Sequence, residues 1–292
     1  MAEVSRAVLI TGCSSGIGRA SAERLAARGW KVFATARRPE SIADLGERRC
    51  ETLALDVTDE ESMRAAVEAV EESEGAVGVL VNNAGYSQSG AIETVPMERI
   101  RAQFETNVFG LIRMCQLVLP GMRRQGWGRI VNVSSMGGRL TFPGGGAYHA
   151  TKHAVEAISD ALRFEVRGFG VDVVVIEPGL IKTRFGETAV GSITTQVPGG
   201  DDPYADFNAA VGAATAGIYE GPAARLGGGP ETVARAIERA IAGRRPRTRY
   251  AVTPSARLIL AQRRLLPDRA WDAVLRTQFP APRQGRGGTP DM

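Results

Sequence analysis

The chain has 292 residues, 43% of them hydrophobic and 23% charged, with a formal charge of +4. Such a composition suits a soluble globular protein with a large core, and its scattered Lys and Arg argue against a nucleic-acid surface. Cys13, Cys50 and Cys115 lie far apart with no CxxC, and no apolar run reaches the ~20 residues of a membrane span. A strand-like start by residue 7 leaves no room for a signal peptide, so a cytoplasmic protein is expected.

The first predicted strand, "AVLIT" (7–11), runs into "TGCSSGIG" and then a helical stretch. Gly12, Gly16 and Gly18 fall at GxxxGxG spacing, with Ser14, Ser15 and Ile17 between them. Between a first strand and a first helix, such glycines let a pyrophosphate approach the backbone at the positive helix end. A plain glycine-rich turn is the alternative at this point. The second strand, "KVFAT" (31–35), is followed by Ala36, Arg37 and Arg38. Dinucleotide folds that bind NAD usually carry an acid there, whereas a guanidinium suits the 2′-phosphate of NADP.

Further strands are predicted at "ETLAL" (51–55), "VGVLV" (77–81), "RIVNVS" (129–134), "VDVVVIE" (171–177) and "RTRYAV" (248–253), with helical stretches between them and a helix at about 230–242. Near-continuous apolar strands imply burial on both faces, as in a parallel sheet covered by helices. The alternation predicts a doubly wound α/β fold, a Rossmann fold of about seven parallel strands. Residues 184–228 break the pattern and are expected to form a substrate lid. The amphipathic "SARLILAQRRLL" follows the last strand, and 281–292 have the composition of a disordered tail. No linker divides residues 1–280, which are expected to form one domain.

"GAYHATKHAVEAI" (146–158) holds two pairs at helical spacing, Tyr148 with Lys152 and His149 with His153. A phenol with a pKa near 10 becomes a useful acid and base at neutral pH when an ammonium stabilises its phenolate. Two histidines fall short of a zinc site, the chain has no third, and Glu156 would be a contrived addition, so no metal is expected.

Taken together, "TGCSSGIG", "LDV" (55–57), "NNAG" (82–85), Asn107, "NVSS" (132–135), "YHATK" (148–152) and "EPG" (177–179) resemble the short-chain dehydrogenases/reductases in order and spacing. The resemblance covers roughly residues 5–253. It implies Tyr148 as general acid/base, Lys152 as the cation lowering its pKa, Ser135 rather than Ser134 on the substrate oxygen, and Asn107 supporting a water in a proton relay. Asp56 and Val57 would contact the adenine, Asn83, Ala84 and Gly85 the neighbouring ribose wall, and Pro178, Gly179, Ile181 and Thr183 the nicotinamide. Lys152 would also reach the nicotinamide ribose.

"GCSSGIG", "ATARR" and the late "RPRTRYAVTP" are similar to the branch of 17-beta-hydroxysteroid dehydrogenase type 1 and retinol dehydrogenases. That likeness implies a bulky hydrophobic alcohol or ketone under the lid. With the arginines after the second strand, NADP(H)-dependent interconversion of a hydrophobic ketone or aldehyde with its alcohol is expected. The Ala-, Arg- and Gly-rich composition suggests a GC-rich bacterial gene, in which a steroid, a polyketide or a lipid-derived carbonyl would each fit. A nucleotide-binding regulator without turnover, or a dehydratase or isomerase of the same fold, are the alternatives. Family members usually pair through the helices at about 100–125 and 148–167. A homodimer or homotetramer is therefore expected, with Phe104, Val108, Leu111 and Leu117 in surplus of one core-facing stripe.

Overall fold

The computed structural model describes residues 4–193, 202–217, 225–279 and 281–282. Seven strands form one sheet: β1 (Val8–Ile10), β2 (Val32–Ala36), β3 (Cys50–Ala54), β4 (Val79–Asn82), β5 (Gly128–Val133), β6 (Val171–Glu177) and β7 (Arg249–Ala251). Their order is β3-β2-β1-β4-β5-β6-β7, and every neighbouring pair is parallel. This is the doubly wound Rossmann arrangement that the strand pattern predicts.

The helices divide between the two faces. On one side α1 (Gly16–Ala27) and α8 (Pro230–Ala242) pack with Val8, Ile10, Val79, Val81, Val131, Val133, Val174 and Ile176. On the other, α2 (Glu60–Glu74), α4 (Gly110–Gln125) and α5 (Gly146–Val166) cover Leu9, Phe33, Leu80, Ile130 and Val173. Alternate strand residues feed opposite cores, which is why the strands are apolar throughout rather than at every second position.

The helix expected over 100–125 is interrupted. It comprises α3 (Met97–Phe104), one π-helical turn (Glu105–Phe109) and α4. The turn carries Asn107, which is buried. Val108 and Leu111, read as surplus apolar positions, are buried within the chain itself, with Leu111 in the core beneath the sheet. Phe104 and Leu117 are partly buried, while Phe109 and Phe164 are the exposed aromatics of these helices.

The segment read as patternless, 184–228, contains α6 (Arg184–Gly191) and α7 (Ala205–Gly217). Its Gly-, Ala- and Thr-rich composition carries too few large apolar residues for the period to register. It leaves and re-enters the fold at one place, where Lys182 N donates to Gly228 O at 2.9 Å and Gly228 N to Leu180 O at 2.9 Å. Residues 194–201 and 218–224 of the expected lid, and 283–292 of the expected tail, lie outside the described residues. Beyond β7, α9 (Pro254–Leu265) is capped by Thr253 Oγ1, which accepts from Ala256 N at 3.2 Å. A tenth described helix, α10 (Asp268–Arg276), follows and anchors Trp271 in the protein. All three cysteines are free and buried, and no helix among the described residues is long and apolar enough to cross a membrane.

Gly110 shows how tightly the second layer sits. A Cβ there would come within 2.3 Å of Val57 O and 2.9 Å of Val57 Cβ. Gly110→Ala therefore pushes α4 away from the segment after β3, and overpacking of this kind costs about 1–3 kcal/mol. Urea unfolding should show that loss, and an unchanged midpoint would contradict the contact.

Candidate active site

The strand order reverses between β1 and β4, and a cleft of about 1600 Å3 opens beyond the carboxyl ends of the strands. One end of it begins at the glycine turn. Gly12 has φ +75° and Gly16 φ +58°, backbone conformations that favour glycine. A Cβ on Gly12 would lie 3.0 Å from Ala84 Cα, and one on Gly18 2.4 Å from Gly12 O and 2.5 Å from Asn83 Nδ2. Gly18 does not line the cleft; it lets α1 close onto the turn. Gly12, Ser14, Ser15, Gly16 and Ile17 do line it, ahead of a helix start with no side-chain cap on its amides.

"NNAG" is held by a residue the sequence reading passed over. Thr11 Oγ1 accepts from Asn83 N at 3.0 Å and Ala84 N at 2.9 Å, while Asn83 Nδ2 donates to Thr11 O at 2.9 Å. Asn83, Ala84 and Gly85 thereby form part of the cleft wall, which Asp56 and Val57 also line. Asp56 Oδ1 accepts from Thr58 N at 3.0 Å and Thr58 Oγ1 at 2.8 Å, which fixes its carboxylate.

The two arginines after β2 separate. Arg37 lines the cleft, close enough for its charge to act on the Tyr86 phenol. Arg38 does not line it; its carbonyl accepts from Ser41 Oγ at 2.7 Å as a ten-residue 3-10 stretch begins.

At the other end Ser135, Tyr148 and Lys152 share the cleft. Lys152 is buried and its Nζ donates to Val133 O at 2.9 Å, so the end of β5 positions a side chain of α5. The ammonium lies 5.9 Å from the centroid of the Tyr148 ring. Burial pushes its pKa down to about 8, with Glu156 opposing the shift. Ser135 Oγ accepts from Gly137 N at 3.0 Å, and Ser134 Oγ is buried with no hydrogen-bond partner among the described residues.

Asn107 is beside the cleft rather than on it. Its Oδ1 accepts from Tyr86 N at 3.1 Å, and its Nδ2 donates to Tyr86 O at 2.9 Å and Thr151 Oγ1 at 3.1 Å. Thr151 Oγ1 in turn donates to Tyr148 O at 2.7 Å. The amide thus ties the wall at Tyr86 to the helix carrying Tyr148. A π turn inside a helix is often found at functional sites, but its i→i+5 bonding leaves no sequence signature.

The two histidines occupy different places. His149 Nδ1 lies 3.0 Å from Gly137 O and braces the turn after Ser135, while burial drives its pKa down to about 4. As a neutral ring it donates that proton to the carbonyl. His153 Nδ1 is 2.9 Å from His149 O. Among the described residues no cluster of three or more His, Cys, Asp or Glu gathers.

Pro178, Gly179, Ile181 and Thr183 form the remaining wall, and a Cβ on Gly179 would lie 2.3 Å from Thr253 Oγ1 and 2.7 Å from Ser255 Oγ. The start of α9 is therefore what presses the "EPG" turn against the cleft. Phe142, Val211, Ala214, Gln278 and Phe279 complete the far end. None of these was singled out from the sequence, because their approach depends on how α7 and α10 return to the fold.

Comparison with known proteins accords with this architecture. A family model described as short chain dehydrogenase matches residues 6–191. A protein named NADPH-dependent 3-dehydrocapnine reductase, from Ornithobacterium rhinotracheale, is 37% identical, covering 92% of this chain and 95% of the relative. Retinol dehydrogenase 16 of Rattus norvegicus is 35% identical over 94% of this chain and 89% of its own. The crystal structure of a short-chain dehydrogenase from Streptomyces avermitilis superposes with a TM-score of 0.73 at 36% identity, covering 92% of this chain and 94% of the other. With the glycine turn, the Ser135–Tyr148–Lys152 end and the seven-stranded sheet in one cleft, the chain belongs to the short-chain dehydrogenase/reductase family of oxidoreductases.

Proposed function

We propose that the protein is an NADP(H)-dependent oxidoreductase that interconverts a hydrophobic ketone or aldehyde with its alcohol. The observation that carries this reading is the buried Lys152 ammonium beside the Tyr148 ring, in the same cleft as the glycine turn. The cleft suits a dinucleotide: Gly12 and Gly16, both at positive φ, line it with bare backbone, and the uncapped start of α1 faces it. A nicotinamide cofactor bound there supplies or accepts the hydride.

The chain's own residues handle the oxygen. Ser135 Oγ donates a hydrogen bond to the substrate carbonyl as negative charge builds on that atom. Tyr148 OH then gives its proton to the oxygen, and the Lys152 ammonium stabilises the phenolate that remains. In the alcohol-oxidising direction the phenolate takes the proton back. Asn107 acts indirectly, holding the Tyr86 wall and α5 in register. Arg37 and Ser14, which line the cleft, would hold the cofactor 2′-phosphate; the NADPH named in the Ornithobacterium relative supports that choice.

A hydrophobic substrate fits the far end, where Phe142, Leu180, Val211 and Phe279 line the cleft, and the retinol dehydrogenase likeness points the same way. Within 184–228, α6 and α7 act as a lid over that end. Its described parts are tied to the body where Gln88 Nε2 donates to Ser192 O at 2.6 Å and Ala91 N to Asn208 Oδ1 at 3.2 Å. The exposed Phe109 and Phe164 support a homo-oligomer formed through α4 and α5.

Tyr148→Phe keeps the ring and removes the proton. It should cut turnover of a ketone panel by about two orders of magnitude or more while NADPH binding, read by fluorescence, stays nearly intact. A variant that reduces ketones at the wild-type rate would refute the mechanism. Arg37→Ala should lower kcat/KM with NADPH by about one to two decades, the worth of a charge-assisted contact of roughly 1.5–3 kcal/mol, and leave NADH nearly unaffected. A wild-type enzyme that already prefers NADH would defeat the cofactor assignment.

A further inference from the structure

Behind Lys152, on the side away from the cleft, α5 carries a second buried charge. Glu156 stands one helical turn further along and is only 5% exposed. Its Oε2 accepts from Arg249 Nε of β7 at 3.0 Å, while Oε1 has no hydrogen-bond partner among the described residues. A half-satisfied carboxylate in such a place is costly, and a buried ion pair is weak evidence of a purely stabilising role.

The surrounding charges do not require it. Arg249 Nη2 already donates to Asp160 Oδ2 at 2.6 Å, and its Nε lies 3.5 Å from Glu177 Oε1 of β6. Glu177 is also met by Arg139 at 3.2 Å, from the turn after β5, and Asp160 by Arg163 at 2.5 Å. The neighbouring His149 faces Gly137 O, and His153 faces His149 O.

Among the described residues Lys152 makes no ion pair. Its hydrogen bond goes to a neutral carbonyl, Val133 O, and its ammonium faces Tyr148. Gly138, in the turn after Ser135, packs against this stretch of α5: a Cβ there would lie 2.9 Å from Glu156 Cγ and from the main-chain carbonyl oxygen of Lys152, and 2.7 Å from Ser134 Oγ. The turn that follows Ser135 therefore packs on the stem of the Glu156 side chain, where α5 holds both Glu156 and Lys152 buried. Charges interact strongly through such an environment.

We propose that Glu156 is a positioning residue for the reaction proposed above, its buried carboxylate keeping Lys152 protonated so that the ammonium can act on Tyr148. Burial alone drives the lysine toward its neutral form, and Glu156 is the opposing charge. Arg249 fixes the carboxylate and at the same time tempers it. Removing the two groups should accordingly move Lys152 in opposite directions.

The chain has three lysines, Lys31, Lys152 and Lys182, so protein carrying 13Cε-lysine gives three side-chain signals to titrate. The one missing from Lys152→Arg is Lys152. Glu156→Gln, nearly isosteric, should lower its titration midpoint by about one pH unit, and Glu156→Asp should restore most of the shift. Arg249→Met should raise the midpoint, which also decides the matter if Glu156→Gln does not fold. An unmoved midpoint in Glu156→Gln, or a fall in Arg249→Met, overturns the proposal. The titration uses the protein without substrate or cofactor. Opposed shifts in a protein that reduces no carbonyl would refute the function and leave this role standing. Turnover with an unmoved Lys152 would refute this role alone.

Discussion

A single buried ammonium organises the Ser135–Tyr148–Lys152 end of the cleft. Lys152 Nζ bonds Val133 O at the end of β5, beside the Tyr148 ring and beneath the wall at Gly85, where a Cβ would come within 3.8 Å of it. Placing a cation there is unfavourable by itself, as the depressed pKa records. The fold accepts it because the strand end supplies an oriented carbonyl and α5 presents Tyr148 and Lys152 four residues apart. The same strand and helix also set Ser135, through the turn that His149 braces.

The glycine-turn end rests on a different constraint, close backbone approach. Gly18 against the Gly12 carbonyl leaves no space for a side chain, and Gly12, at positive φ, packs tightly on Ala84. These contacts bring β1, α1 and the segment after β4 together at the point where the sheet reverses order. Thr11, with one hydroxyl accepting two backbone amides, locks that junction. The two ends meet across Gly85 and Asn107, so the geometry of one depends on the other.

Much of this was legible in the sequence, for identifiable reasons. Strands apolar at successive positions report burial on two faces, and β6 was read with its observed bounds. YxxxK and the glycine spacing report local geometry, which a short stretch of chain can carry. What was not legible depends on tertiary return. The π turn around Asn107 has no compositional mark, α6 and α7 are too poor in large apolar residues to show a period, and Arg37 and Arg38 look equivalent until the fold turns one away. Val108 and Leu111 show the converse error, since apolar residues beyond one stripe can still be buried by a second neighbouring element.

The central claim is that the charge of Lys152 makes Tyr148 an acid and base at neutral pH. The most direct measurement is the near-ultraviolet phenolate absorbance of the wild type against Tyr148→Phe as pH is raised, repeated on Lys152→Met. The account predicts one phenol, absent from Tyr148→Phe, that ionises well below the ordinary value of about 10 and returns toward it when Lys152 is replaced. A Tyr148 that ionises at the ordinary value, with or without the lysine, would contradict it.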